Sequence, residues 1–397
     1  MLIQFTTSNF KSIQKPQTLS LVKSKGSDTL SNSFEIAAQM SLLRSIAIYG
    51  PNASGKSNIL KAMQLMTKLV LSSAKDLQRG EKIAVQPFKL CSDCLKKPSE
   101  FEIVFLAKGI KYQYGFTVTS DQVMDEWLIA FPKGRPQRWF EREWDEENQV
   151  HKWKMGEALT GEKQIWQKST RSNSLFLSMA VNLNSVQLKP IFDWFKDQFQ
   201  LINVDGINEI FTAKMLDAEG HEEIMKYMRA ADIGMSSLYL EKQHYEIKTL
   251  HTNLAGETVQ FDIEEESLGT QKLLQFVGPW IDSLRNGFTL VIDELHDKLH
   301  PKIVQFLVDL FNNEKTNPHN AQLIFTTHDT TLLNQKTLRR DQIYFVEKSQ
   351  QGASALYSLS DFKVRKNFEN IETSYLLGRY GAIPYIDLSE IEGSFGN

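Results

Sequence analysis

The 397-residue sequence predicts an α/β protein: a parallel sheet core, an antiparallel β subdomain and a mainly helical insert. Three observations carry that prediction. The apolar run RSIAIYG enters a glycine-rich loop, GPNASGKS (Gly50–Ser57), and an amphipathic pattern, SNILKAMQLMTKLVL, leaves it. Helical and strand patterns alternate in the C-terminal part, as GTQKLLQFVGPWIDSL, FTLVIDE, PKIVQFLVDLFNN and QLIFTTH, which is the signature of parallel strands with crossover helices. Between them lies a stretch with strand periodicity, FEIVFLAKGI, KYQYGFTVTS, VMDEWLIAF and QRWFERE, read as a hairpin meander with turns at Lys108-Gly109 and near Gly134.

The elements follow in order. LIQFTTSNFKSI and QTLSLV open the chain as strands, and KSKGSDTLSNS is a polar loop. The helix after the glycine-rich loop places Ile59, Met63, Met66 and Val70 on one face. Residues 156–235 read as mainly helical, with SLFLSMAVNLNSVQLKPIFDWFKDQF the clearest segment, and strands return at HYEIKTLHT and ETVQFDIEEES. The sequence shows no internal repeat and no long linker. A single interrupted domain is therefore expected, with an N-terminal lobe (1–155), the insert (156–235) and a C-terminal lobe (236–397).

Composition excludes some classes. The apolar fraction is 41%, the charged fraction 23% and the net charge -3, so no global positive field draws nucleic acid, although a local basic patch is compatible with that total. No stretch approaches the roughly 20 apolar residues of a membrane span. MLIQFTTSNFKSI lacks the basic and apolar regions of a signal peptide, and a cytoplasmic protein is expected. Cys91 and Cys94 form a CSDC pair that is half a zinc site or a redox pair by spacing. A tetrahedral site needs about four ligands and no second pair exists, so unbonded loop thiols are the expectation.

GPNASGKS matches G-x-x-x-x-G-K-[ST] in the strand–loop–helix context that makes it a phosphate cradle. Gly50, Pro51, Asn52, Ala53, Ser54, Gly55, Lys56, Ser57 and Asn58 are the candidate nucleotide-binding residues. Backbone N–H groups and the helix N-terminus would hold phosphate, Lys56 would reach the β and γ oxygens, and Ser57 would donate an oxygen to Mg²⁺. FTLVIDE ends a buried strand in two carboxylates: Asp293 for Mg²⁺ and Glu294 as the general base for water. QLIFTTHD ends another strand in His328, placed to hydrogen-bond a γ-phosphate. ESLGTQKLL opens a helix with Ser267, Gly269, Thr270 and Gln271, a second phosphate grip. Two grips on one chain make sense if each nucleotide is clamped between two copies.

NFKSI, GPNASGKS, ESLGTQKLL, FTLVIDELHDKLHP and IFTTHD, in that order, resemble an ABC-type ATPase head of the SMC/RecF/OLD branch. The tail, DQIYFVEKSQQGASALYSLSDF and SYLLGRYGAIPYI, is similar to bacterial stand-alone ATPases of abortive-infection and antiphage systems, of the RloA, AbiL and PARIS AriA types. The resemblance implies ATP and Mg²⁺ as cofactors, ATP hydrolysis, and an ATP-sandwiched homodimer or larger homo-oligomer. It assigns the catalytic roles to Lys56, Glu294 and His328, and the signature to Ser267–Gln271. By the same resemblance Gln86, in AVQPFKL, is the glutamine-loop candidate that would contact the metal, and HDKLHP (His296–Pro301) occupies the D-loop position.

Four functions compete: an ATPase that senses or scaffolds for a separate effector, a nuclease or toxin, in antiphage defence; a DNA-repair or chromosome-maintenance clamp; a self-contained nuclease; a transporter subunit. The signature belongs to the wrong branch for a transporter. The segment after His328 has no acidic D-x-D cluster for a nuclease, and patches such as GRPQRWFEREW are too short for a DNA-facing lobe. The defence ATPase leads and the repair clamp is the alternative.

Overall fold

The computed structural model describes residues 1–25, 32–37, 40–202, 210–218, 220–363 and 369–385. The polar loop KSKGSDTLSNS, the insert and the tail string SYLLGRYGAIPYI each fall partly outside them. Two strands open the chain, β1 (Leu2–Ser8) and β2 (Gln17–Ser20), and a hairpin follows, β3 (Ser33–Ala37) and β4 (Met40–Leu43). β5 (Ser45–Tyr49) enters the glycine-rich loop and α1 (Lys56–Asp76) leaves it. The meander is β6 (Ser99–Ala107), β7 (Ile110–Val118), β8 (Val123–Phe131), β9 (Gln137–Asp145) and β10 (Val150–Met155). Its turns fall at Lys108-Gly109 and around Gly134, where both glycines have positive φ.

Residues 156–235 contain α2 (Lys163–Ser169), α3 (Phe176–Asn182), α4 (Lys189–Asp193), β11 (Phe199–Ile202), α5 (Ile210–Asp217) and α6 (His221–Ala230). Beyond them come β12 (Ser237–Glu241), β13 (Glu246–Thr252) and β14 (Thr258–Asp262), then α7 (Leu268–Asn286), β15 (Thr289–Ile292), α8 (Pro301–Asn312) and β16 (Gln322–Thr326). β17 (Ile343–Lys348), β18 (Ser354–Ser358) and α9 (Ile371–Leu376) complete the described chain.

Two large sheets result. The first has seven strands in the order β10-β9-β8-β7-β6-β1-β2, every pair antiparallel. The second has six, β11-β15-β16-β5-β17-β18, parallel except for the last pair. The central strands of the second sheet are buried on both faces, which is why they read as continuous apolar runs. Their side chains alternate as pleating requires. Ile46, Ile48, Val291, Ile324 and Val346 join a core that contains the buried face of α1 and the aromatic inner face of the seven-stranded sheet. Ala47, Tyr49, Leu290, Ile292, Leu323, Phe325 and Phe345 join a second core with α7 and α8.

Ile59, Met63, Met66 and Val70 are all buried, so the helical face read from spacing is the one that packs. One reading needs refinement: the mainly helical insert also contributes β11, which pairs with β15 as the edge of the parallel sheet. Among the described residues no helix is long and apolar enough to cross a membrane.

Candidate nucleotide-binding site

β5, β15 and β16 are neighbours, and the loops that leave their C-terminal ends carry Gly50–Ser57, Asp293-Glu294 and Thr327-His328 respectively. That edge of a parallel sheet is where α/β proteins hold ligands. The loop departs from ordinary backbone at Gly50 (φ 151°), Ala53 (φ 61°) and Gly55 (φ 109°). A Cβ on Gly55 would lie 2.2 Å from Ser354 Oγ and 2.6 Å from Ser12 Oγ, and one on Gly50 would lie 2.3 Å from the Val346 carbonyl oxygen. Both positions therefore require glycine for conformation and for space.

The loop is braced from two distant segments. Ser354 Oγ donates to the Ser54 carbonyl at 2.5 Å and contacts Ser12 Oγ at 2.7 Å, and Asn58 Nδ2 donates to Ser12 Oγ at 2.7 Å. Neither serine carried a predicted role, although NFKSI and the tail string contain them. Asn52 and Ala53 are exposed at the rim, whereas Ser54 is buried.

Lys56 is 6% exposed and its Nζ donates to the carbonyls of Gly50 (2.8 Å) and Pro51 (3.1 Å), so the ammonium sits inside the loop. Burial lowers its pKa from the ordinary lysine value, and the carboxylates of Asp293 and Glu294 oppose that fall. This coupling brings together three predicted residues from opposite ends of the chain.

Thr326 fixes the acid pair. Its Oγ1 donates to Asp293 Oδ1 at 2.5 Å and accepts from the Glu294 N–H at 2.8 Å. Glu294 has φ 53° and an exposed side chain, a left-handed backbone held for a non-glycine residue at the end of a buried strand. Ser57 and Asp293 supply hard oxygen donors, the set Mg²⁺ takes together with phosphate oxygens and water. Among the described residues no group of three or more His, Cys, Asp or Glu could hold a metal without such help.

His328 packs edge-on against His296, with ring centroids 5.4 Å apart at 76°, and its backbone N–H donates to His296 Nδ1 at 3.4 Å. Burial, the nearby Lys56 ammonium and His296 push His328 down to about 4. The imidazole is therefore neutral near pH 7 and keeps one N–H to donate. His296 is also lowered, chiefly by burial. It lies in HDKLHP, but its pairing with His328 was not read from the sequence.

The sign of the pH dependence follows. The unfolded chain would hold His328 at an ordinary value near 6.5, above its folded value of about 4, so it binds more protons than the folded chain between those pH values. Stability present above pH 6.5 should fall as pH drops towards 4. In His328→Gln the urea midpoint should fall less over that window, and equal slopes for variant and wild type would contradict the assignment.

The other candidates lie around this centre. Lys11 N–H donates to the Gln86 carbonyl at 2.8 Å, and Lys11 Nζ donates to Gln86 Oε1 at 3.3 Å. Gln86 thus flanks the turn that presents Ser12. Ser267 caps α7, its Oγ accepting from the Thr270 N–H at 3.1 Å, and Gln271 Nε2 donates to the Glu266 carbonyl at 2.8 Å. Gly269 lies against the HDKLHP loop, where a Cβ would stand 3.0 Å from the Lys298 carbonyl oxygen. Lys272 and Asp297 pair across the same junction at 3.5 Å. Among the described residues no hydrogen bond or ion pair joins Ser267–Gln271 to Gly50–Asn58.

Residues 45–334 match the family described as "AAA domain, putative AbiEii toxin, Type IV TA system", and the chain belongs to that family. No curated protein matches it. Among solved structures it is similar to "SMC head domain from Thermotoga maritima", at 16% identity and a TM-score of 0.44, over 91% of this chain and 99% of that one. It is also similar to "Crystal structure of the SmcHead bound to the C-winged helix domain of ScpA", at 16% identity and a TM-score of 0.42, over 90% of this chain and 97% of that one.

Proposed function

We propose that this member of the AAA-domain family binds ATP with Mg²⁺, hydrolyses it slowly as an ATP-sandwiched dimer, and through that cycle controls a separate nuclease or toxin in antiphage defence. The observation that carries the reading is the convergence of Lys56, Asp293, Glu294 and His328 at one sheet edge.

Each residue then has a task. The loop N–H groups and the start of α1 hold the phosphates, with Lys56 Nζ turning from the Gly50 and Pro51 carbonyls to the β and γ oxygens. Mg²⁺ would be held by Ser57 and Asp293 and would neutralise phosphate charge. Glu294 takes a proton from the attacking water, and neutral His328 donates to the γ-phosphate. Ser267–Gln271 bring the N-terminal end of α7 to the phosphate of a second copy, as no hydrogen bond or ion pair among the described residues ties them to Gly50–Asn58 of their own chain. Gly269 and Lys272 rest on the HDKLHP loop, the loop that follows the acid pair. The lobe boundaries at 155/156 and 235/236 belong to the same proposal.

An ATP engine of this kind needs an output, and none of the assigned residues supplies effector chemistry. Dimer opening and closing is the bistable element through which nucleotide and an infection trigger would act on the partner.

Mixing variants tests the sandwich. A Lys56→Ala chain and a Ser267→Arg chain should each be inactive alone. Their heterodimer has one intact composite site, so an equimolar mixture should recover about a quarter of wild-type hydrolysis if chains pair at random. A mixture no better than either parent would sink the two-copy arrangement. Strong stimulation of the wild type by DNA would favour a nucleic-acid clamp instead.

A further inference from the structure

The nucleotide loop is braced through the turn that contains Asn9 to Ser12, and that turn is in contact with Cys94. Asn9 is 7% exposed and its Nδ2 donates to the carbonyls of Cys94 (2.8 Å), Lys97 (2.9 Å) and Pro98 (3.2 Å). Gln14 Nε2 lies 3.8 Å from Cys94 Sγ. Ser12, three residues after Asn9, contacts Asn58 and Ser354, and Ser354 reaches the Ser54 carbonyl. A continuous path of hydrogen bonds and three residues of chain thus joins the CSDC loop to the phosphate loop.

The thiols themselves are arranged for reaction. The Cys94 N–H donates to the Cys91 carbonyl at 3.1 Å, closing a β-turn, and it also meets Cys91 Sγ at 3.3 Å. Such a turn keeps the two Cα atoms within about 7 Å, and a disulfide needs roughly 4.4–6.8 Å. Both cysteines are partly exposed, so an oxidant can reach them. Hydrogen bonds from the Cys94 thiol and backbone N–H pull the Cys91 thiol below its ordinary value, while Cys94 is pushed up, which makes Cys91 the nucleophile.

We propose that Cys91 and Cys94 form a dithiol–disulfide site that accepts oxidation from a small-molecule disulfide and weakens nucleotide binding when oxidised. The Cys91 thiolate attacks one sulfur of the disulfide RSSR, a Cys91–SR bond forms, and RS⁻ leaves and takes a proton. Cys94 then loses its proton and attacks the Cys91 sulfur, expelling the second RS⁻. The chain gives up two electrons and two thiol hydrogens, and RSSR becomes two RSH. Closing the ring draws Cys94 towards Cys91, displaces the carbonyl that Asn9 holds, and so loosens the Ser12 brace.

The coupling rests on the nucleotide reading above, and the experiment separates the two. The full chain is equilibrated with a series of glutathione to glutathione-disulfide ratios, followed by its intact mass after alkylation and by ATP affinity in each state. An internal disulfide is expected, with ATP affinity about fivefold or more weaker in the oxidised chain. Cys91→Ser and Cys94→Ser chains should show no shift. Only mixed glutathione adducts, a zinc-bridged dimer in place of a disulfide, or an internal disulfide with unchanged ATP affinity would each overturn the proposal. A reduced chain that binds no ATP would overturn the nucleotide reading, and the coupling with it.

Discussion

Lys56→Ala is expected to abolish measurable ATP binding while the chain stays folded. The ammonium is buried in the loop and its two hydrogen bonds go to loop carbonyls at 2.8 and 3.1 Å, groups that cannot substitute for it against phosphate. Hydrogen bonds between charged partners contribute about 1.5–3 kcal/mol each. Losing two of them to the β and γ oxygens raises Kd by on the order of 10²–10⁴-fold. Burial already lowers the lysine pKa, and the side chain retains charge partly because Asp293 and Glu294 face it. Removing it leaves those carboxylates facing a phosphate with less cation between them, which adds repulsion. Calorimetry with ATP and Mg²⁺ checks the affinity, and a thermal melt checks the fold. Micromolar binding by a folded Lys56→Ala chain would remove the glycine-rich loop from the argument.

Much of this site was legible before the structure because its parts are local. A buried strand, a glycine-rich loop and an amphipathic helix are contiguous in sequence, and both flanking strands of the site are apolar runs that lead into their candidate residues. What stayed hidden is long-range. Ser12 and Ser354 meet across the chain, at 2.7 Å, and no periodicity records such a contact. Thr326 serves both acids through one hydroxyl, but in the sequence it is the last residue of a β pattern. β11 spans only Phe199–Ile202, too short to stand out after a helical segment, and becomes a strand by pairing with β15. The β3–β4 hairpin and β12 are faint in the sequence for the same reason: short, partly exposed strands carry little pattern of their own.

Glu294→Gln should separate binding from hydrolysis. The side chain is exposed and its backbone is held by Thr326 and by the left-handed φ of 53°, so an isosteric amide changes neither the strand end nor the loop. Asp293 keeps its own hydrogen bond to Thr326, and the proposed Mg²⁺ donors, Ser57 and Asp293, are unchanged. What is lost is a group able to take a proton from water, a loss that costs on the order of 10²–10⁴-fold in rate. Removing one negative charge beside the γ-phosphate also favours the bound state. The variant should bind ATP at least as tightly as wild type, turn it over at least about 10²-fold more slowly, and accumulate as a dimer by light scattering when ATP is present. On the proposed role in antiphage defence, this trapped dimer and the empty Lys56→Ala chain should both fail to protect cells against phage, because neither completes the ATP cycle. Unchanged hydrolysis in Glu294→Gln would mean that another residue activates the water. A chain that hydrolyses normally but never dimerises would leave Ser267–Gln271 without a phosphate to grip.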